Sequence, residues 1–498
     1  MSVAATPLPT SLYSADAVRS LDHYLINTQG IAGAVLMKRA GRFAFECLTQ
    51  HWPEARKLHI VCGAGNNGGD GYVVAALAQA RGFEVSLRWL ADPQSLSGDA
   101  RRAADYAIQE GVSMAAFDAG ETLAADVLVD GLLGTGLNKP VGDRYAAAIA
   151  WLNQHDAPVL ALDLPSGIHA DTGAVQGAAV QAALTTTFVG LKLGLFTGAG
   201  RQAAGRVRFS DLDGDTAGAG VTAAAERLDI DRVLASLPAR AIDSHKLHYG
   251  HLAVVGGDNG LNGAAIIAAE AGLRAGAGMV SLVSRPLTAQ IALTRRPELM
   301  ALGVDAGIDA EPKLAQATAL VVGPGLGQAA WGEQLLQQAL KRALPTVLDA
   351  DALNILATHS VALPAASVIT PHPGEAGRLL GTDTAAVQAD RPAAAVALAQ
   401  KYGCVAVLKG AGSIIATPEG KRYLVDAGNP GMASGGMGDL LAGIIGALLA
   451  QGLSALDAAC LGALVHALAG DEQATIEGER GLLATDLLAS VRGMLNAL

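Results

Sequence analysis

The sequence predicts an α/β protein of two domains, each built on a parallel sheet with helices packed on both faces. Three observations predict it. Short apolar runs alternate with helical stretches, as strand–helix–strand units require. The alternation lapses over residues 213–225 and then restarts. And 61 glycines among 498 residues, about 12% against a usual ~7%, gather after the apolar runs, where backbone must approach a ligand closely. They do not recur at every third position, which excludes collagen.

In the first half, Leu58–Cys62 reads as a strand ending in glycines, and Tyr72–Arg81 as helical. Glu84–Leu90 is a further strand, followed by a helix over Gly98–Glu110. Asp126–Val129 and Pro158–Leu162 are strands that each end in an acidic residue and a glycine-containing turn, and 205–211 is the last strand. Residues 213–225 hold one large aliphatic side chain, Val221. Such a segment buries little, so it reads as a linker between a domain over 1–212 and another over 226–498.

In the second half, His251–Val255 runs into GGDNGLNG, with a helix over Ala264–Ala275. Ala319–Val322 runs into GPGLG, Thr346–Leu348 into DAD, Ser367–Thr370 into PHPGE, and Val405–Leu408 into KGAGS. Asp439–Leu449, Ser454–Ala469 and Thr485–Leu498 are helical. The apolar run Leu440–Leu456 contains Gln451 and stops at Asp457, so it is a buried helix and no membrane span. In open α/β sheets ligands lie beyond the carboxyl ends of the strands, where all these turns fall.

Apolar residues make up 51% and charged residues 16%, which excludes a mainly disordered chain. A formal net charge of −11 argues against a general nucleic-acid surface. Cys47, Cys62, Cys404 and Cys460 form no CxxC, as expected for a reduced, cytoplasmic protein. No basic stretch precedes an apolar one at the start, so no signal peptide is expected. The high apolar content leads to the expectation of a homo-oligomer.

Three strand ends in the first half carry polar groups to one edge of the sheet. CGAGNNGGDGY leads a strand into a helix, so its N–H groups can converge on an anion; a bare structural turn would read the same. Asn66, Asn67 and Asp70 favour a ligand. Asp130 ends one strand in VDGLLGTGLNKP, and Asp163 another in ALDLPSG, with Ser166 after it. Each carboxylate either caps a following helix or joins an oxygen-donor set for a hard cation. Lys139 either meets phosphate or is solvated.

NNGGDG, VDGLLGTG and LDLPSG, in this order, resemble the N-terminal domain of the NAD(P)H-hydrate repair proteins, the NAD(P)HX epimerase, over most of residues 10–212. The resemblance implies a Rossmann-like three-layer domain that interconverts the R and S hydrates of NADH and NADPH. It implies K⁺ bound by Asn67, Asp130 and Ser166. It also implies dinucleotide contacts from Asn66, Asn67, Gly68, Gly69 and Asp70, from Gly134, Thr135, Gly136, Leu137, Asn138, Lys139 and Pro140, and from Asp163. Asp163 is then the natural acid/base, because epimerisation at a hydroxyl-bearing carbon moves protons.

In the second half, NPGMASGGMGDLLAG sets Gly435, Gly436 and Gly438 before an apolar helix. Its N–H groups and dipole attract an anion, and the dipole is expected to keep Asp439 ionised, as a base or as a helix-start charge alone. His372 stands between two prolines, as a structural or a ligand-contacting residue. Asp349 and Asp351 either bind Mg²⁺ through water or shape their turn.

Lys246–Gly250, GGDNGLNGAA, GPGLG, LDADAL, TPHPGE, LKGAGS and NPGMASGGMGD resemble the ribokinase-like fold, and more narrowly the ADP- or ATP-dependent NAD(P)H-hydrate dehydratases, over about 245–445. That implies adenine-nucleotide contacts from Lys409, Gly410, Ala411, Gly412, Ser413 and Gly438. It implies hydrate contacts from Ala264, Gly325, His372 and Asp439, with Asp439 as the base. ADP with Mg²⁺ is the expected co-substrate, giving AMP and phosphate; the residues themselves leave ATP open. The rival reading is a small-molecule, vitamin-precursor type of kinase fused to a dinucleotide-binding module. No nucleic-acid or membrane partner is expected.

Overall fold

The computed structural model describes residues 7–121, 124–359 and 361–497. The chain divides into two compact units, Met1–Glu226 and Arg227–Leu498. Residues 1–6 of the expected first domain, and Leu498 of the expected last helix, lie outside the described residues.

In the first unit seven parallel strands form one sheet: Lys57–Cys62, Glu84–Trp89, Ser113–Ala116, Val127–Gly131, Val159–Leu162, Leu184–Phe188 and Arg206–Ser210. Counted along the chain, they lie in the order three-two-one-four-five-six-seven. The order therefore reverses between Lys57–Cys62 and Val127–Gly131, the position at which doubly wound sheets open a crevice for ligand. Alternation within the strands builds both faces. Ile60, Cys62 and Val129 join the core beneath the helices Gly33–His51, Asn66–Ala80 and Gly98–Gln109. Val61 and Leu128 join Ile149 and Leu152 of the helix Asp143–Gln154 on the other face.

The sequence reading differs at several places; the strand Ser113–Ala116 and the helix Asp143–Gln154, for example, were not read. The helix expected from Tyr72 begins at Asn66, so NNGG forms its first turn, with Gly65 as cap. The strand Leu184–Phe188 (LTTTF) went unread, because three buried threonines hide it among polar letters. The segment 213–225 is no loose linker. Arg39 donates to the Leu212 carbonyl at 2.6 Å, Ala219 and Val221 pack on the first unit's core, and Ala224 N–H donates to the Leu12 carbonyl at 2.7 Å.

The second unit repeats the plan. Seven parallel strands, His251–Val255, Met279–Ser284, Met300–Gly303, Ala319–Val322, Thr346–Leu348, Val368–Ile369 and Val405–Leu408, are extended by the antiparallel pair Ser413–Ala416 and Arg422–Val425. The order again reverses, here between His251–Val255 and Ala319–Val322. One face carries the helices Asn262–Arg274, Met437–Ala450 and Ala455–Glu477. The helix Met437–Ala450 is buried on almost every side, but the run Leu440–Leu456 is not one helix: it breaks after Ala450 and a second helix starts at Ala455. Among the described residues no helix is long and apolar enough to cross a membrane.

Gly323 shows how tightly the second sheet edge is built. Its φ is +127°, and a Cβ there would stand 1.8 Å from the Asp349 carbonyl oxygen. Replacing it by Ala combines backbone strain with a clash against main chain. A loss of ~3 kcal/mol or more is expected, read as an earlier urea transition of the second unit. An unchanged transition would contradict this packing.

Candidate active sites

In the first unit the strand ends surround a cavity of about 680 Å³. Asn67 and Asp70 reach it from the first turns of the helix Asn66–Ala80, the glycine turn 134–136 from beyond Val127–Gly131, and Asp163 from beyond Val159–Leu162. Asp130 and Ser166 lie behind this wall, both fully buried. One Asp130 oxygen accepts from the Ser166 hydroxyl at 2.6 Å, the other from Ser166 N–H at 2.8 Å. Leu132 N–H adds a third bond at 3.1 Å. Burial pushes the Asp130 carboxyl up to about 6, against the pull of those bonds. Neither Asp130 nor Asp163 caps a helix: Gly142 holds that place for Asp143–Gln154. Asn67 is buried, and neither its amide oxygen nor its amide nitrogen has a hydrogen-bond partner in the protein. An uncompensated buried amide costs about 1–3 kcal/mol, so the site has room for a further partner.

Asp163 stands at φ +64°, a left-handed conformation that Asp tolerates better than most residues. Lys192 Nζ donates to its Oδ1. Its Oδ2 faces the glycine turn, 3.3 Å from where a Cβ on Gly134 would stand. Asp70 and Asp22 share the cavity wall. Burial, followed by the charges of Asp163 and Asp22, raises the Asp70 carboxyl well above the usual range. Burial pushes Asp22 up to about 6, with Lys192 pulling it down. Thr135, Leu137, Asn138, Lys139 and Pro140 line the mouth, with Lys139 exposed. Asp22 and Lys192 escaped the sequence reading. A lone lysine inside VGLKLGLF was the available signal, since a cation in an apolar run implies a buried partner.

In the second unit Gly436, at φ +93°, caps the helix Met437–Ala450, and Asp439 lies in its first turn. The sequence led to the expectation that the helix dipole keeps Asp439 ionised. Burial outweighs it: burial, then the charge of Asp349, pushes the Asp439 carboxyl up to about 7, with Lys409 pulling down. A dipole at a helix end is worth ~0.3–1 kcal/mol, less than one pKa unit, which is about 1.36 kcal/mol.

Lys409 is tied into a carboxylate cluster. Its amine donates to Asp349 at 2.7 Å and lies 4.0 Å from Glu375. A Cβ on Gly438 would stand 3.1 Å from that amine, which brings Lys409, Asp349 and the start of the Asp439 helix together. Its loop is held from behind by Arg391, fully buried, whose guanidinium donates to the carbonyls of Leu408, Lys409 and Gly412 at 3.3–3.4 Å. Burial lowers Arg391 to about 10. Gly410 and Ala411 are exposed, and Ser413 closes the turn by accepting from Gly410 N–H at 3.2 Å. Arg391 too was missed, because its partners are carbonyls, which carry no sequence signal.

His372 has a structural task. Its Nδ1 accepts from Gly374 N–H at 3.0 Å, and its own N–H donates to Glu375 at 2.8 Å, capping the helix Pro373–Leu380. Its Nε2 remains on the exposed side, 3.4 Å from Glu375. Gly325, at φ +58°, adjoins Ala264: a Cβ on it would stand 3.3 Å from that of Ala264. Asp351 accepts from Gly327 N–H at 2.9 Å and so shapes its turn. Between Asp349 and Asp351, Ala350 takes φ +49°, which turns the two carboxylates to different partners.

The chain matches two family models, one described as YjeF-related protein N-terminus over residues 33–194 and one as NAD(P)H-hydrate dehydratase over 252–492. It is 44% identical to the bifunctional NAD(P)H-hydrate repair enzyme of Coxiella burnetii, over 98% of this chain and 100% of that one. It is 43% identical to the enzyme of the same name from Escherichia coli, over 98% and 95%. It is also similar to the solved structure of a ribokinase-like superfamily protein from Enterococcus faecalis, at 28% identity and a TM-score of 0.50, covering 54% of this chain and 94% of that one. With each half matched and relatives alike over nearly their whole length, the chain belongs to the family of bifunctional NAD(P)H-hydrate repair enzymes.

Proposed function

We propose that the chain repairs hydrated NADH and NADPH in two steps, epimerising the R and S hydrates in the first unit and dehydrating the S hydrate in the second. The observation that carries the second step is Asp439, half-buried at the head of a buried helix with its carboxyl near 7. That value suits a general base at neutral pH. Asp439 takes the proton of the hydrate's hydroxyl, and the hydroxyl oxygen attacks the terminal phosphorus of ADP while the bond to AMP breaks. The ring carbon–oxygen bond then breaks, phosphate leaves, and a proton departs from the neighbouring ring carbon as the double bond forms. Phosphorylation turns hydroxide, a poor leaving group, into phosphate, a good one. The N–H groups of the turn Gly435–Gly438 are suited to holding the migrating phosphoryl group.

Mg²⁺ brought with ADP would neutralise phosphate oxygens. Asp349 and Asp351 are the carboxylates at hand, and a Mg²⁺ held mostly by phosphates needs no more than one or two. In the first unit, the partnerless Asn67 amide supports a hard monovalent cation such as K⁺, which Asn67, Asp130 and Ser166 would hold through oxygen. Asp163 acts there as acid/base toward the hydroxyl-bearing carbon. Four buried free cysteines support a cytoplasmic location.

The test supplies purified protein with mixed R and S hydrates and either ADP or ATP. Complete return of reduced-nicotinamide absorbance with AMP and phosphate from ADP is the expected result. Conversion of the S form alone would remove the epimerase, and a stable phosphorylated product would make the second unit a kinase.

The pH dependence carries a sign. A base must be ionised, so dehydration should rise with pH through about 7 and level off above it. Lys409→Met removes the cation that lowers Asp439, so the rising limb should move to higher pH. A profile flat across neutral pH would assign the base elsewhere.

A further inference from the structure

We propose that Lys192 is a positioning residue for epimerisation, holding Asp163 by one oxygen so that the other faces the dinucleotide cavity. The inference rests on the epimerase reading of the first unit. Lys192 lies in a short strand, opposite Tyr13 and next to the pair Leu191–Leu12, and is 1% exposed. An ammonium has three N–H bonds to give, and all three are taken. One goes to Asp163 Oδ1, one to Thr187 Oγ1 at 3.0 Å and one to the Phe188 carbonyl at 2.8 Å. Nothing is left to bind a ligand, so its action must pass through Asp163.

Thr187 completes the clamp. It accepts from Lys192 and turns its own hydroxyl toward the same Asp163 oxygen at 3.4 Å. Asp163 Oδ1 is thus occupied, and Oδ2 is the oxygen turned to the glycine turn at Gly134. The backbone is bent to serve this arrangement. Asp163 stands at φ +64° and Val189, beside the Phe188 carbonyl, at φ +65°, a conformation that a β-branched residue adopts rarely and at a cost. Both lie on the cavity wall. A left-handed backbone at two points of one wall, costly at Val189, around one buried ion pair, is the pattern of a geometry held for chemistry rather than for packing.

The experiment measures epimerisation and dehydration on the same full-length variants. Lys192→Met should lower kcat for epimerisation by roughly 10²-fold with KM little changed. Dehydration of pure S hydrate should stay at the wild-type rate, a control for the folded chain. Paired with Asp163→Asn, Lys192→Met should add almost nothing, since the two act as a unit. Thr187→Val, close in shape and keeping the lysine, should lower kcat by a smaller factor, and it reads the clamp if Lys192→Met does not fold. A raised KM at unchanged kcat, or a double variant far below Asp163→Asn alone, would overturn the proposal. A wild-type chain that leaves the R hydrate untouched would instead overturn the epimerase reading.

Discussion

Replacing Asp439 by Asn should abolish dehydration and leave epimerisation at its wild-type rate. Asn keeps the size of the side chain and removes its ability to accept a proton. Loss of a general base lowers a rate by roughly 10²–10⁴-fold, and the effect should fall on kcat. The fold should tolerate the change. Burial and Asp349 already work against the charged form of Asp439, so a neutral amide costs the native state little. The measurement is phosphate release from ADP with pure S hydrate, beside R-to-S conversion by the same preparation. Full phosphate release by the variant would assign the base elsewhere and leave Asp439 as a helix-start charge.

The second large effect is the converse. Asp163→Asn should stop R-to-S conversion, by a comparable factor, and spare dehydration of the S hydrate. The cost to the fold should be greater here, since buried Lys192 would lose its ion-paired carboxylate and keep only the more distant charges of Asp22 and Asp70. A lowered melting transition of the first unit is therefore expected together with the lost activity. With a mixed hydrate supply, such a variant should consume the S form and then stall. Continued conversion of the R form to completion would place the acid/base on another group, and Asp70, on the same wall, is the first to examine.

Much of the architecture was legible because buried parallel strands are short apolar runs ending in glycines. His251–Val255, Ala319–Val322 and Val405–Leu408 needed no further information. Leu184–Phe188 failed the same reading since threonine hydroxyls can be satisfied inside, as Thr185 is by the Ala204 carbonyl. Asn67, Asp130, Asp163 and Ser166 could be gathered from their places at successive strand ends. Their division of labour could not. That Asn67 lacks partners while Asp130 has three depends on where side chains point, which spacing does not encode. The same holds for Asp439, whose proton affinity is set by burial and by Asp349, ninety residues earlier in the chain.

The Arg391 guanidinium beneath the loop Lys409–Ser413 has a thermodynamic consequence. A surface loop that must freeze around its ligand loses ~1–2 kcal/mol of backbone entropy per residue fixed, and affinity falls by that amount. Here the loop is anchored from within before any ligand arrives, and the ordering is charged to folding of the second unit. A ligand bound at this loop would meet a surface already in shape. A complex there would need fewer contacts, and the exposed stretch Gly410–Ala411, with almost no side chain to offer, could contribute through its backbone.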